Sequence, residues 1–266
     1  MAKLNDIINI LQTIAPSSLA LSFDNAGLNI GDRESEITGI TVCLDATEKV
    51  VDEAIRSGNN LIVSHHPVIF SPIKNLNDGY ENYRVVTKAV KNDVNVYSMH
   101  TNLDCVEGGV NDVIADLLGV KNKQIIDAVG ENAGIGRVGD IQSTSLQDLA
   151  KFVEKSLDFP VRVISCGEKR VERVGVVNGS GADIEYIEKA KEMGATCFIT
   201  SEIKHHVALY AKSAGMNMIE SGHYATERFY IPILSQKINE ALTKAGYNIK
   251  TTVSESESNP FSGESI

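Results

Sequence analysis

Tryptophan is absent from the 266 residues, and cysteine and proline are scarce, at four and six. Cys43, Cys105, Cys166 and Cys197 show no C-x-x-C spacing and sit mostly in apolar contexts. That argues against a thiolate metal cage or a disulfide framework and for reduced thiols in a cytoplasmic protein. No apolar run approaches the ~20 residues needed to span a bilayer, so no membrane association is expected. The N-terminus mixes charges of both signs and leads into an amphipathic pattern, unlike a signal peptide. Basic residues are in deficit: 25 Lys and Arg against 35 Asp and Glu give a net charge of −10. With no basic stripe, binding to a nucleic-acid backbone is disfavoured. A small anionic substrate stays compatible, because a bound divalent metal can invert the local field.

What is present is the pattern of an α/β protein. The 42% hydrophobic and 23% charged fractions suffice for one large domain or two small ones. Leu4, Ile7, Ile8, Leu11 and Ile14 recur at helical spacing up to Pro16. Strands are predicted over 37–44, 61–63 and 94–99, with helices over 47–56, 83–91 and 110–118 between and after them. Residues 127–139 are rich in Gly, Asn and Asp, which reads as a domain boundary. Beyond it come strands over 171–177, 197–200 and 216–220, helices over 184–193 and 207–214, and a long helix over 225–242 with Pro232 near its start. The tail from Ser254 is polar, and only Pro260-Phe261 offers a docking surface. The two halves resemble each other: residues 54–64 match 190–200 without a gap, and each half later runs from a strand into His-x-x-x-carboxylate. The expectation is an internal duplication. One α/β domain covers 1–126, completed by 229–266; the second covers 127–228.

Chemistry is signalled by where histidine falls. All six, His65, His66, His100, His205, His206 and His223, cluster just past predicted strand ends, the edge where open α/β sheets bind ligands. A single histidine is usually structural. Joint placement with carboxylates at matching offsets favours a metal site. Adjacent residues in a strand point to opposite faces, so His65 and His66 converge only where the strand has ended, and Pro67 restricts His66 accordingly. Two neighbouring imidazoles suit two ions of a close pair, ~3.5–4 Å apart. His223 and Glu227 lie four apart, which puts Glu227 in a first helical turn, where the helix dipole favours an acid. Asp104, four beyond His100, is the second carboxylate. Three imidazoles and two carboxylates suit Zn, Mn, Fe, Ni or Co better than Mg or Ca.

The remaining polar residues have blander alternatives. His100, Glu202, His205 and His206 can orient ligands, move protons or touch substrate, or can simply be polar lining, the better reading for His205. Cys105 reads as a buried small side chain. Gly108-Gly109 and Gly179-Ser180-Gly181 are weak loop signals. The second suits a phosphate but lacks the P-loop lysine.

At these residues the chain resembles the Nif-three-like family, also named GTP cyclohydrolase 1 type 2 homologues. The matching segments are Asp24-Asn25-Ala26-Gly27-Leu28, Ser64-His65-His66-Pro67, His100-Thr101-Asn102-Leu103-Asp104, Ser221-Gly222-His223-Tyr224-Ala225-Thr226-Glu227 and Asn259-Pro260-Phe261. The resemblance implies two related α/β domains with mixed sheets flanked by helices and a dinuclear metal site between them. It also implies a toroidal homohexamer built as a trimer of dimers. His66 and Asp104 would serve one ion, His65 and His223 the other, with Glu227 bridging. Two positions depart from the family pattern: Ser201-Glu202 replaces a common Gly-Asp, and Phe23 replaces a Trp. The large insertion of some relatives is absent.

Two close metal ions make hydroxide available at neutral pH and clamp developing charge. The leading expectation is therefore a metal-dependent hydrolase carrying two divalent transition-metal ions per chain. The family name points to ring opening of GTP or a related purine or pterin, with His100 and Glu202 as proton-transferring residues. The alternatives are a non-catalytic ring that handles metal or docks a partner and, more weakly, a phosphoesterase.

Overall fold

A computed structural model describes residues 2–167 and 170–261. In chain order the elements begin with α1 (Leu4–Ile14), β1 (Gly27–Ile30), β2 (Gly39–Cys43), α2 (Glu48–Ser57), β3 (Leu61–Ser64), α3 (Glu81–Lys91) and β4 (Asn95–Ser98). They continue with α4 (Thr101–Cys105), α5 (Val110–Leu117), β5 (Lys121–Gly130), β6 (Ala133–Thr144), α6 (Leu146–Leu157), β7 (Arg162–Ile164) and β8 (Val171–Val177). Last come α7 (Ile184–Glu192), β9 (Cys197–Thr200), α8 (His205–Ala214), β10 (Asn217–Glu220), α9 (His223–Glu227), α10 (Tyr230–Lys244) and β11 (Lys250–Val253). The chain forms two compact units, one from Met1–Leu103 with Tyr230–Ile266 and the other from Asp104–Phe229. No helix among the described residues is long and apolar enough to cross a membrane.

The first unit is built on a sheet of order β1-β4-β3-β2-β11, parallel except for β1. Every residue of β2, β3 and β4 is buried, as expected of parallel strands covered on both faces. Val50, Val51 and Ala54 of α2 and Val85, Val86 and Ala89 of α3 pack with Ile62 and Val96. Each fully buried aliphatic side chain of this kind contributes ~1.5–3 kcal/mol. Thr47 caps α2 by accepting from Val50 N, and Gly58 ends it in the left-handed region. Helix α1 packs on α10 through buried Leu4, Ile7, Ile8 and Leu11.

The second unit carries the order β5-β6-β8-β9-β10-β7, with β8, β9 and β10 parallel and the outer strands antiparallel. Its run α6-β7-β8-α7-β9-α8-β10-α9 repeats α1-β1-β2-α2-β3-α3-β4-α4 element for element, including the antiparallel edge strand beside β4 or β10. Gly58 and Gly194, matched in the sequence repeat, both take positive φ after their helices. The fold class is therefore that of two related α/β units with mixed sheets.

Three local expectations change. The Gly-, Asn- and Asp-rich stretch forms the β5–β6 hairpin, with Asn132 at positive φ in its turn. The expected long helix breaks into α9 and α10. Pro232 has no N–H for the Arg228 carbonyl and crowds it, so it is tolerated only in the first turn of a new helix. In the tail, Phe261 is 72% exposed, whereas Glu257 accepts from Leu44 N at 3.0 Å and Asp45 N at 2.5 Å. The tail docks through a carboxylate because those backbone donors need an acceptor.

A buried ion pair ties α5 to β6. Arg137 Nε and Nη2 donate to the two Asp112 carboxylate oxygens at 2.8 Å each, and Nη1 donates to the carbonyls of Gly134 and Gly136. Burial raises the Asp112 pKa, but Arg137 more than offsets this and holds it below the ordinary carboxylate range. Arg137→Met should cost about 3 kcal/mol in urea unfolding, because it strands a buried acid. Lys123→Met, which removes a more exposed partner 3.3 Å from Asp112, should cost less than about 1 kcal/mol. Equal costs would remove the special role of the buried pair.

Candidate metal centre

In the first unit the donors emerge from paired strand ends. Ser64 and Ser98 are register partners, and their hydroxyl oxygens lie 3.1 Å apart. His65 and His66 follow β3 at the same level at which His100 follows β4. His65 N donates to Cys43 O and His66 N to Leu44 O, so the backbone stays tied to β2 while the side chains leave the sheet. The three imidazole centroids lie 5.0, 5.3 and 5.6 Å apart, and their ligand atoms all fall within 4.8 Å of one another.

Each ring has one nitrogen fixed by an oxygen. His65 Nδ1 lies 2.8 Å from Met99 O, His66 Nδ1 2.8 Å from Asp45 Oδ1, and His100 Nδ1 2.7 Å from Asp24 Oδ1. These oxygens accept, so the proton sits on Nδ1 in each ring. Asp24 also accepts from Thr101 N and Thr101 Oγ1. Burial raises its pKa, but hydrogen bonds from His100 and Thr101 outweigh that and bring it to about 2.

In the second unit, Asn178 follows β8 and is buried. Its Nδ2 donates to Asp104 Oδ1 and to Glu227 Oε1, both at 2.9 Å. One neutral donor thus holds two acids together without competing with a cation. Asn178 Oδ1 has no hydrogen-bond partner among the described residues. Asn111 supports the group by donating to Asp104 O and accepting from Asn178 N. His223 Nδ1 lies 2.9 Å from Glu202 Oε1, and its Nε2 lies 3.2 Å from Glu227 Oε2. The glycine loop serves these acids. Gly179 has φ +62°, and a Cβ there would lie 2.7 Å from Glu227 Oε1 and 3.4 Å from His223 Nε2. Ser180 donates to Glu202.

Glu227 does not gain support from a helix start. Gly222, at φ +78°, lets α9 begin at His223 and leaves Glu227 as its last residue; its stabilisation comes from Asn178 instead. His205 and His206 are exposed at the start of α8. Cys105 is buried, as expected. The donor set, imidazole nitrogens with fixed tautomers and carboxylates in a cradle that admits no Cβ, fits a borderline divalent metal. Asp24, Asp45 and Asn178 were not assigned roles from the sequence. Asp24 lies in a quoted family segment, and Asn178 stands at a strand end like the donors themselves.

The family model described as Duf34/NIF3 (NGG1p interacting factor 3) matches residues 2–260. The chain belongs to this family. Proteins of Clostridium acetobutylicum and Clostridium perfringens, each described as a GTP cyclohydrolase 1 type 2 homolog, are both 36% identical to it. Each alignment covers 97% of this chain and 98% of the relative. A Staphylococcus aureus hypothetical protein of known structure matches at 31% identity and TM-score 0.88 over 98% of both chains. A Bacillus cereus protein related to NIF3 matches in fold at TM-score 0.90 and 24% identity, again over 98% of both.

The Asp24 contacts make a pH prediction. Its folded pKa lies below the ordinary 3.8, so the stability it contributes is present above about pH 4 and fades as pH falls toward 2. Asp24→Asn should be roughly 2 kcal/mol less stable than wild type at neutral pH, a gap that closes near pH 2. Urea unfolding across pH measures it. A gap independent of pH would show that the acid acts by shape alone.

Proposed function

We propose that this protein is a metal-dependent hydrolase that opens a purine or pterin ring. It would hold two divalent transition-metal ions, Zn, Mn, Fe, Ni or Co, through His65, His66, Asp104, His223 and Glu227. His66 and Asp104 would serve one ion, His65 and His223 the other, and Glu227 both. The observation that carries this reading is that His65, His66 and His223 each have Nδ1 fixed by an oxygen acceptor, the arrangement that orients metal-binding imidazoles. Two close divalent ions activate water and polarise the bond under attack. The likeness to Clostridium proteins described as GTP cyclohydrolase homologs supports a nucleotide-type substrate. The resemblance also supports a cytoplasmic homohexamer, a trimer of dimers.

Within this reading the chain supplies proton handling and orientation. Asp24 holds the Nδ1 proton of His100, so Nε2 is the atom that takes and returns a proton. Glu202 holds His223 in its tautomer and is the second group placed to move protons. Asn178 keeps two acids side by side.

Elemental analysis of protein purified without chelator should find about two transition-metal ions per chain, and Glu227→Gln should lose most of both. Metal-loaded protein should release formate from GTP or open a related ring. His100→Ala should keep its metal and lose roughly a hundredfold in rate. Full metal occupancy in Glu227→Gln would refute the bridging role. Absence of turnover with every one of the five metals would favour metal handling. Light scattering should report about six chains per particle; a metal-replete monomer would refute the ring.

A further inference from the structure

A cavity of about 490 Å³ opens beside His66 in the first unit, a size suited to a small ligand. Phe70 and Tyr83 give it aromatic faces, and Asp45 and Glu81 give it carboxylates. Among the described residues lining it there is no lysine or arginine. Two cations of α3 are already engaged: Arg84 Nε donates to Glu48 at 2.7 Å, and Lys88 Nζ to Asp52 at 2.9 Å. The starts of α2 and α3 border the cavity, and a helix start ordinarily attracts anions. Here Glu48 and Glu81 occupy those first turns and offset the field.

The aromatic wall is unusually open to water. Phe70 is 51% exposed, and Phe23, outside the cavity lining, is 64% exposed. Their ring centroids lie 6.5 Å apart, and Phe70 stands edge-on to His100 at 6.1 Å. Asn25 Nδ2 donates to Ile69 O and ties the two loops that carry these rings. Exposed aromatic rings beside polar groups suit a ligand surface, and their faces accept planar rings.

We propose that this cavity recognises an unphosphorylated guanine or pterin ring, which stacks on Phe70 and is read by Glu81. Although it rests on the purine-or-pterin reading above, it goes further by assigning the ring its binding residues and by turning phosphates away. The amino-pyrimidinone edge of either ring presents a ring N–H and an exocyclic N–H side by side. One carboxylate accepts both. Hypoxanthine lacks the exocyclic amine and leaves one carboxylate oxygen unmatched, a loss that discriminates strongly in a polar site. In the metal-free chain a triphosphate would meet Asp45 and Glu81 with no lysine or arginine among the described cavity walls to balance it.

The test is equilibrium binding to the EDTA-treated full chain, by calorimetry with guanosine, inosine and GTP and by fluorescence quenching with neopterin. Guanosine and neopterin should bind, guanosine at least as tightly as GTP and at least tenfold more tightly than inosine. Phe70→Ala should weaken guanosine tenfold or more. Glu81→Gln should weaken guanosine similarly and leave inosine nearly unchanged. GTP binding more tightly than guanosine, or Phe70→Ala binding guanosine as wild type does, would overturn the proposal. Binding that follows these rules without turnover on any metal would uphold the cavity and defeat the hydrolase. Turnover with a KM unaffected by Phe70→Ala would do the reverse.

Discussion

In-register parallel pairing carries both units, because it makes adjacent strands end at one level and delivers their following residues to one edge. Ser64 pairs with Cys43 on one side and Ser98 on the other; Thr200 pairs with Val177 and Glu220. His65, His66 and His100 follow these strand ends in one unit, and Asn178, Glu202 and His223 follow them in the other. A slip of one residue would move the buried strands' side chains to the opposite face and disperse these groups. Burial of β2, β3 and β4 on both faces therefore fixes the chemistry as well as the core.

Orientation is the second layer. An imidazole is useful to a metal only if one nitrogen is held, and here the holders are varied: a backbone carbonyl for His65, Asp45 for His66, Asp24 for His100 and Glu202 for His223. Asp45 is itself anchored from the tail, because Glu257 accepts from its N–H. A residue 212 positions from Asp45 thereby helps to place His66. Asn178 does the corresponding work for acids, since a neutral amide lowers the repulsion between Asp104 and Glu227 without supplying a rival cation.

The repeat shows how one scaffold diverged into two donor sets. At the end of β3 stand two imidazoles; at the matched end of β9 stand Ser201, whose hydroxyl lies 2.6 Å from Thr226 Oγ1, and the acid Glu202. After β4 and β10 the chain keeps His-x-x-x-carboxylate: His100 precedes a five-residue helix that carries Asp104, and His223 begins one that ends on Glu227. The shared pattern preserves position, and the differences change which groups are candidate ligands and which orient them.

The sequence alone determined the α/β class, the repeat, the family and the ligand candidates, because these depend on local periodicity and on residue types at strand ends. Val171–Val177 and Cys197–Thr200 appear as strands with the bounds their apolar runs suggest. Non-local pairing decided the rest. The Gly-rich stretch that reads as a break is a hairpin, since cross-strand bonds over residues 121–144 outweigh poor local propensity. Gly222 moved the start of α9 and changed what stabilises Glu227. Asp24, Asp45 and Asn178 gained roles only when the chain brought them to partners 76, 21 and 49 residues away. Hydrogen bonds at such separations leave no periodic trace in a sequence, because their geometry exists only once the sheets have formed.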